Sequence, residues 1–314
     1  MKSEILLFNG KRIENEDLNF NDLRRGFLYG DGIFETLISI NKKIFRFDQH
    51  WERMKKGAFI CNLRMPDKKR IKKILSDNLE DGFYYIRLNL WRKRPDIFSP
   101  LKKKDSNFLI IIKKFRPYPE RFYKEGIKCT ISKEIRRNEK SVLSKIKSIN
   151  FLENVILKIE AEKEKCDDIV VLDNVGYISE GSIANIFFVK NDIIYTPSLE
   201  CGCLEGITRK IVFEICKKEK IKIKEGFFKP DFLKNCDEVF FTNTLMGIMP
   251  VREIKGYFKS KKFKYSEYFG KLYWKILKCA FVLSYFFLFL LPVFIFSTNF
   301  IFCWKKFVYN FKIS

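Results

Sequence analysis

Lys147 stands in the segment Lys-Ser-Ile-Asn-Phe-Leu-Glu-Asn-Val, directly ahead of a stretch with helical character. A lysine acts as a nucleophile or proton carrier only where its amine is partly neutral, which burial and neighbouring cations bring about. Further along, Ile178-Ser179-Glu180-Gly181-Ser182 is followed by Asn185-Ile186-Phe187 and places a carboxylate at a turn between apolar runs. Gly206-Ile207-Thr208-Arg209 opens a helical pattern, and the free amides and dipole of a helix start suit an anion. Thr242-Asn243-Thr244-Leu245-Met246-Gly247-Ile248-Met249-Pro250-Val251 ends the series. In the first half lie Arg25-Gly26, the run Tyr29-Gly30-Asp31-Gly32-Ile33-Phe34-Glu35-Thr36, and His50-Trp51-Glu52-Arg53. His50 and Arg53 are three apart on a predicted helix and share a face. Each motif alone is weak: in a chain with 61 Lys+Arg, a single lysine is ordinarily a solvated charge. Gly30-Asp31-Gly32 is no dinucleotide fingerprint, since no third glycine and helix follow at the required spacing.

The elements that must hold these residues are legible in outline. Residues 5–8 and 11–13 around Asn9-Gly10 read as a hairpin, and 33–40 with 43–47 as a second strand pair. Asp48 stands where an N-cap should be, ahead of a helix to about Asn62, and Pro66-Asp67 opens another to about Leu79. Residues 83–91 and 108–115 are apolar enough for sheet strands. Arg116-Pro117-Tyr118-Pro119-Glu120 is the best linker, because two prolines discourage both helix and central strand. Beyond it, strands are expected at 127–133, 169–172, 186–189, 193–196, 221–225 and 238–242, and helices at 149–165 and 208–219. Both halves mix strands and helices, which predicts an α+β fold in two domains, 1–116 and 122–275, joined by a linker at 117–121 and followed by a hydrophobic tail, 276–314.

Composition narrows the partners. The formal net charge is +23 and hydrophobic residues make up 46% of the 314 residues. The lysines are spread along the chain with glutamates between them, and Ile, Asn, Lys, Phe and Tyr are all heavily used, as an AT-rich gene would produce. No aromatic-interleaved basic repeat or zinc-finger spacing supports nucleic-acid binding, and no metal-ligand spacing is present. The nine cysteines form no CxxC pair, and the opening MKSEILLFNG has no signal-peptide pattern, so reduced thiols in a cytoplasmic body are expected. Residues 279–304 contain no charged side chain, which is enough to cross a hydrocarbon core of about 30 Å. Three accounts of this tail stay open: a membrane anchor, a translated continuation with no selected role, and a helix that packs on a partner.

Taken in this order and at these separations, the motifs resemble the class IV pyridoxal-phosphate-dependent aminotransferase family (fold type IV), which includes D-amino-acid and branched-chain aminotransferases and aminodeoxychorismate lyase. The resemblance runs from about residue 5 to 255. It implies the two-domain D-amino-acid-aminotransferase-like fold, with the hydrophobic C-terminal helix as an addition, pyridoxal 5'-phosphate as cofactor and a homodimer. By similarity Lys147 is the Schiff-base lysine and proton shuttle, and Glu180 holds the pyridine nitrogen protonated. Arg53, Ile207, Thr208 and Thr244 bind the phosphate, and His50 matches a structural position.

For the substrate, the resemblance implies a small anionic amino compound. Phe34 and Leu245 would line its pocket, and Arg87, Arg92 and Arg94, near one strand end, could meet carboxylates. Phe151 stands where branched-chain enzymes usually place a tyrosine, and Thr-Asn-Thr-Leu looks more like the lyases. After the middle strand, at Arg92-Lys93-Arg94-Pro95, the chain lacks the histidine by which D-amino-acid enzymes grip the α-carboxylate, and also the Arg-Gly pair that lyases usually show. The sequence therefore favours a lyase that converts 4-amino-4-deoxychorismate to 4-aminobenzoate and pyruvate in folate synthesis, with an aminotransferase for branched-chain or D-amino acids as the alternative and a non-catalytic, membrane-tethered member as a third.

Overall fold

Alternating apolar residues in the first third of the chain build one antiparallel sheet, and longer all-apolar runs build a second, mixed one. The computed structural model describes residues 4–93 and 105–289, those after 278 as backbone only. The first sheet takes β1 (Glu4–Phe8), β2 (Lys11–Ile13), β3 (Gly32–Ile40), β4 (Lys43–Ile44), β5 (Phe83–Arg92) and β6 (Ser106–Lys114), in the order β2-β1-β6-β5-β3-β4. Helices α1 (Phe20–Tyr29), α2 (Phe47–Ile60) and α3 (Lys68–Asn78) belong to the same part of the chain. Trp51, Met54 and Ala58 of α2 and Ile71 and Leu75 of α3 pack with Leu37, Ile86, Leu88 and Ile112 into one buried cluster.

The second sheet comprises β7 (Ile127–Arg137), β8 (Asp168–Asp173), β9 (Ile178–Gly181), β10 (Asn185–Lys190), β11 (Ile193–Pro197), β12 (Ile223–Gly226), β13 (Glu238–Asn243), β14 (Gly247–Ile254) and β15 (Phe258–Lys259). Its order is β12-β11-β10-β13-β14-β7-β8-β9, with β15 beside β14. The β11–β12, β14–β7 and β7–β8 pairs are parallel. Strands β8, β10 and β13 are buried along almost their whole length, which is why they read as continuous apolar runs rather than alternating ones. Helices α4 (Glu120–Glu125), α5 (Leu152–Lys163), α6 (Ile207–Lys218) and α7 (Lys264–Phe289) belong to this later part of the chain. The chain divides into one compact unit up to Trp274 and a second from Lys275 onward.

Three local expectations change. The second hairpin ends at Ile44, and α2 starts at Phe47 after Arg46, whose φ of 52° turns the chain in the left-handed region. Asp48 therefore lies in the first turn of α2 and does not cap it; its carboxylate meets Lys68 and Lys72, 3.0 and 2.9 Å away. The helix expected from residue 149 starts at Leu152, because Lys147–Ile149 is held extended against β3. The strand expected over 221–225 is β12, shifted to Ile223–Gly226. Among the described residues no helix is long and apolar enough to cross a membrane. Most of the tail run 279–304 lies outside the described residues.

Candidate active site

The lysine segment is positioned by the first turn of β3. Phe34 N–H donates to the Lys147 carbonyl at 2.9 Å, Ile149 N–H to the Gly32 carbonyl at 3.1 Å, and Asn150 Nδ2 to the Gly30 carbonyl at 3.0 Å. Gly30 closes α1 with φ of 61°, and a Cβ there would fall 1.9 Å from Asn150 Oδ1, so only glycine lets this contact form. The turn itself is fixed by Asp31, which accepts from Arg25 Nε at 2.8 Å and Arg92 Nε at 2.9 Å.

From this segment the half-buried Lys147 amine reaches over the Phe34 ring, 4.4 Å from its centroid, and the Arg87 guanidinium lies 3.8 Å from the same centroid. Phe34 and Thr36 project to one side of β3, and Arg87 stands directly opposite Thr36 on β5, so sheet register alone brings these groups together. Burial lowers the Lys147 pKa to about 8; Arg53 and Arg87 push the same way, against Glu35 and Glu180. A substantial neutral fraction near neutral pH is what a nucleophilic amine needs.

Glu180, on β9, accepts from Arg137 Nε at 3.0 Å and from the Leu204 amide at 3.1 Å. Arg137, at the end of β7 and only 8% exposed, also donates to Glu153 at 3.0 Å. The sequence does not single it out, because Arg136-Arg137 is one more basic pair in a basic chain. Its partner across the fold is what gives it a role.

Arg53 comes from α2 and is held from behind. Its Nε and a terminal nitrogen each lie 2.7 Å from the Glu35 carboxylate, and the other terminal nitrogen donates to the Glu205 carbonyl at 3.0 Å. His50 Nδ1 lies 2.8 Å from the same carboxylate, which is fully buried. Burial opposes ionisation of Glu35, but the charge and hydrogen bonds of Arg53, helped by His50, overcome it and bring the pKa down to about 2. Burial lowers the His50 pKa, against the pull of Glu35. His50 therefore stands neutral behind Arg53 and does not line the cleft.

The opposite wall is the start of α6. No side chain caps this helix, so its first amides remain open beside Gly206, Ile207 and Thr208. Gly206 is required by close approach: a Cβ there would lie 2.0 Å from Asn185 Oδ1, whose amide nitrogen donates to the Leu204 carbonyl at 2.8 Å. Next to it the turn after β13 is shaped by Asn243, whose side chain accepts the amides of Leu245 and Met246 at 2.9 and 2.8 Å. Thr242 adds a buried hydroxyl with no hydrogen-bond partner among the described residues.

These groups line one cleft of about 660 Å³, within the range of small-molecule and cofactor sites. Phe34, Arg53, Arg87, Lys147, Glu180, Ile207, Thr208, Thr244 and Leu245 all contribute to its walls, as do Arg137, Thr242 and Phe151. Arg92 does not. It is 4% exposed, and its guanidinium is engaged by Asp31 and by the carbonyls of Cys61 and Asn62, at 2.8 and 3.3 Å. The expectation that Arg92 meets substrate is thus replaced by a structural role in the Gly30–Gly32 turn, and Arg94 lies outside the described residues.

Such a cleft, with a depressed lysine, an anchored carboxylate and an open helix start, on this pair of sheets, defines a class. The amino-transferase class IV family matches residues 32–254, and the chain belongs to it. A putative branched-chain-amino-acid aminotransferase of Methanocaldococcus jannaschii is 33% identical over 260 residues, covering 80% of this chain and 88% of that one. The aminodeoxychorismate lyase of Bacillus subtilis is 29% identical over 258 residues, with 80% and 87% coverage. Among solved structures, the branched-chain aminotransferase of Thermoproteus uzoniensis superposes with a TM-score of 0.78 at 25% identity, covering 87% of this chain and 94% of that one. A second branched-chain amino acid aminotransferase, from T.th. and solved with pyridoxamine 5'-phosphate, shares the fold, with a TM-score of 0.80, 23% identity and 88% and 95% coverage.

Proposed function

We propose that the chain is a pyridoxal-phosphate-dependent aminotransferase acting on an α-amino acid with an apolar side chain of the branched-chain type. The observation that carries this is the Lys147 amine, depressed to about 8, in one cleft with an anchored Glu180 and an uncapped helix start. The donor set suits the cofactor. The orphaned Thr242 hydroxyl, the α6 amides and the Arg53 guanidinium would hold its phosphate, with Thr244 beside them. Glu180, held in place by Arg137, would pair with the pyridine nitrogen, and Lys147 would hold the aldehyde carbon. When bound, pyridoxal phosphate supplies a carbonyl that captures amines and a ring that draws electrons from the substrate carbon. Lys147 Nζ would take the Cα proton of the amino acid and carry it to the carbon that receives the nitrogen, before the oxo acid departs. Arg87 presents terminal N–H groups to a substrate carboxylate, while Phe34, Phe151 and Leu245 exclude water from an apolar side chain.

The lyase stands second. Phe151, 5.7 Å from the Phe34 ring and without a hydroxyl, and the Thr-Asn-Thr-Leu segment favour it. Against it, among the described residues Arg87 lines the cleft but Arg92, proposed for the second carboxylate of aminodeoxychorismate, does not. We further propose two domains about the two sheets and a homodimer as the working unit. The dimer is supported by exposed Leu152, Val155 and Ile159 on one face of α5 and by Val142 and Leu143 just before it.

The deciding experiment offers purified protein an amino acid with 2-oxoglutarate, and separately aminodeoxychorismate. Nitrogen transfer from leucine or valine supports the aminotransferase, whereas release of pyruvate and 4-aminobenzoate from the second compound overturns it in favour of the lyase. Lys147→Ala should abolish either activity together with the visible absorbance of covalently held cofactor. A variant that keeps that absorbance defeats the assignment of Lys147.

A further inference from the structure

Tyr273 lies in α7, outside every motif that marks the cleft and not among the residues lining it. It is nevertheless fully buried against the segments that shape the cleft's anion-holding end. Its hydroxyl donates to the Thr244 carbonyl at 2.9 Å, and the Thr208 side chain lies beside the same phenol. Gly247, just beyond the Thr244 turn, presses on its ring: a Cβ there would come within 2.9 Å. From the first sheet's edge, Phe45 packs edge-on at 5.6 Å between centroids. Burial raises the phenol's pKa, so the hydroxyl stays a donor across the working pH range.

Thr208 belongs to the first turn of α6 and Thr244 to the turn after β13. These are separate elements, far apart in the sequence, and their donors converge only if the two turns keep one spacing. A buried phenol hydrogen-bonded to the Thr244 turn and standing beside Thr208 sets that spacing from behind. An ordinary core tyrosine can take its one hydroxyl partner anywhere; this one takes it from a turn that lines the cleft and stands beside a second segment that lines it too.

We propose that Tyr273 is a positioning residue for the phosphate end of the cleft, holding the α6 start and the Thr244 turn at the separation one phosphate requires. The proposal rests on the cofactor assignment above. Its test is equilibrium binding of pyridoxal 5'-phosphate and of pyridoxal, which lacks the phosphate, to the full-length apoprotein, followed by tryptophan fluorescence. Tyr273→Phe should weaken binding of the phosphorylated ligand by about five- to tenfold, the scale of one lost hydrogen bond, and leave pyridoxal binding unchanged. p-Aminophenylalanine in place of Tyr273 keeps a donor and should restore the difference between the two ligands. p-Methylphenylalanine fills the hydroxyl's space without donating and should behave as Tyr273→Phe, which covers a phenylalanine variant that does not fold. Equal weakening of both ligands, or a lowered Tm with both affinities intact, makes Tyr273 a core residue only and overturns the proposal. Wild-type protein that binds pyridoxal but gains nothing from the phosphate overturns it together with the phosphate assignment.

Discussion

Glu35 serves two partners with one buried carboxylate, and its charge is what keeps Arg53 facing the cleft. Its pKa falls from 4.5 to about 2, which corresponds to roughly 3 kcal/mol of stability. For an acid with a depressed folded pKa, that stability is present above the unfolded value and is lost as pH falls through the folded one. The window is therefore pH 4.5 to about 2. Glu35→Gln should lower stability at pH 7 by about 3 kcal/mol, and its unfolding free energy should fall less steeply than wild type across that window. Urea titrations of the apoproteins at a series of pH values check this. Taking the difference between the two proteins limits the contribution of His50, whose lowered pKa destabilises both in acid. Parallel curves would show that the ion pair is not what holds Glu35 ionised. The sequence places His50 and Arg53 on one helix face, but not Glu35 between them. Glu35 sits in a strand with period-two spacing, and only the packing of α2 on β3 reveals which helix it serves. Arg137 is hidden for the same reason, since its partner Glu180 lies 43 residues further along.

At the scale of elements, Lys147 owes its position to backbone pairing more than to its own packing. The chain from Lys147 to Asn150 is stitched to the turn at Gly30–Gly32, and that turn needs a left-handed residue with no side chain beside Asn150. Gly30→Ala should cost about 1–2 kcal/mol for its backbone conformation, with a further penalty for displacing Asn150. It should also slow capture of pyridoxal phosphate, because the lysine segment loses its register. Thermal unfolding and the rate at which the visible absorbance grows measure the two effects. Loss of stability with an unchanged capture rate would contradict the coupling. The paired strands of the first sheet are legible because alternation and an Asn-Gly turn state them directly. Helix α1 is not: Phe20, Phe27, Leu28 and Tyr29 are exposed and Arg25 is its buried residue, so it shows no apolar stripe toward the core. Strand β14 is hidden by Pro250, which ordinarily argues against a central strand. The extended path of Lys147–Ile149 runs counter to helical propensity, because tertiary hydrogen bonds to β3 overrule it.

Across the whole molecule, the cleft is open beside a surface that a solitary soluble chain has no reason to keep apolar. Leu152, Val155 and Ile159 recur at helical spacing on α5 and are 70%, 47% and 45% exposed, and Val142 and Leu143 extend the patch to the cleft's rim. Leu143 and Leu152 belong to both the patch and the cleft wall, so a second copy seated there would also shield the site from water. A patch that meets its own copy across a two-fold axis needs no second surface, and closure at two chains follows from the symmetry. The net charge of +23 opposes such a pairing through long-range repulsion, which salt screens. Apolar contact, by contrast, does not weaken as salt is added at moderate concentration. The full-length protein should therefore run as a dimer of the 37.6 kDa chain in light scattering, and its dissociation constant should tighten on going from 20 to 300 mM salt, buffer conditions spanning Debye lengths of roughly 20 to 6 Å. Val155→Glu combined with Ile159→Glu puts carboxylates at the centre of the patch without touching the cleft wall. It should yield monomers that still bind pyridoxal phosphate but turn over more slowly, with activity recovering as protein concentration rises. A wild-type chain that stays monomeric at high concentration and is fully active removes the dimer from the account of this enzyme, and a double variant that remains dimeric moves the contact to another face.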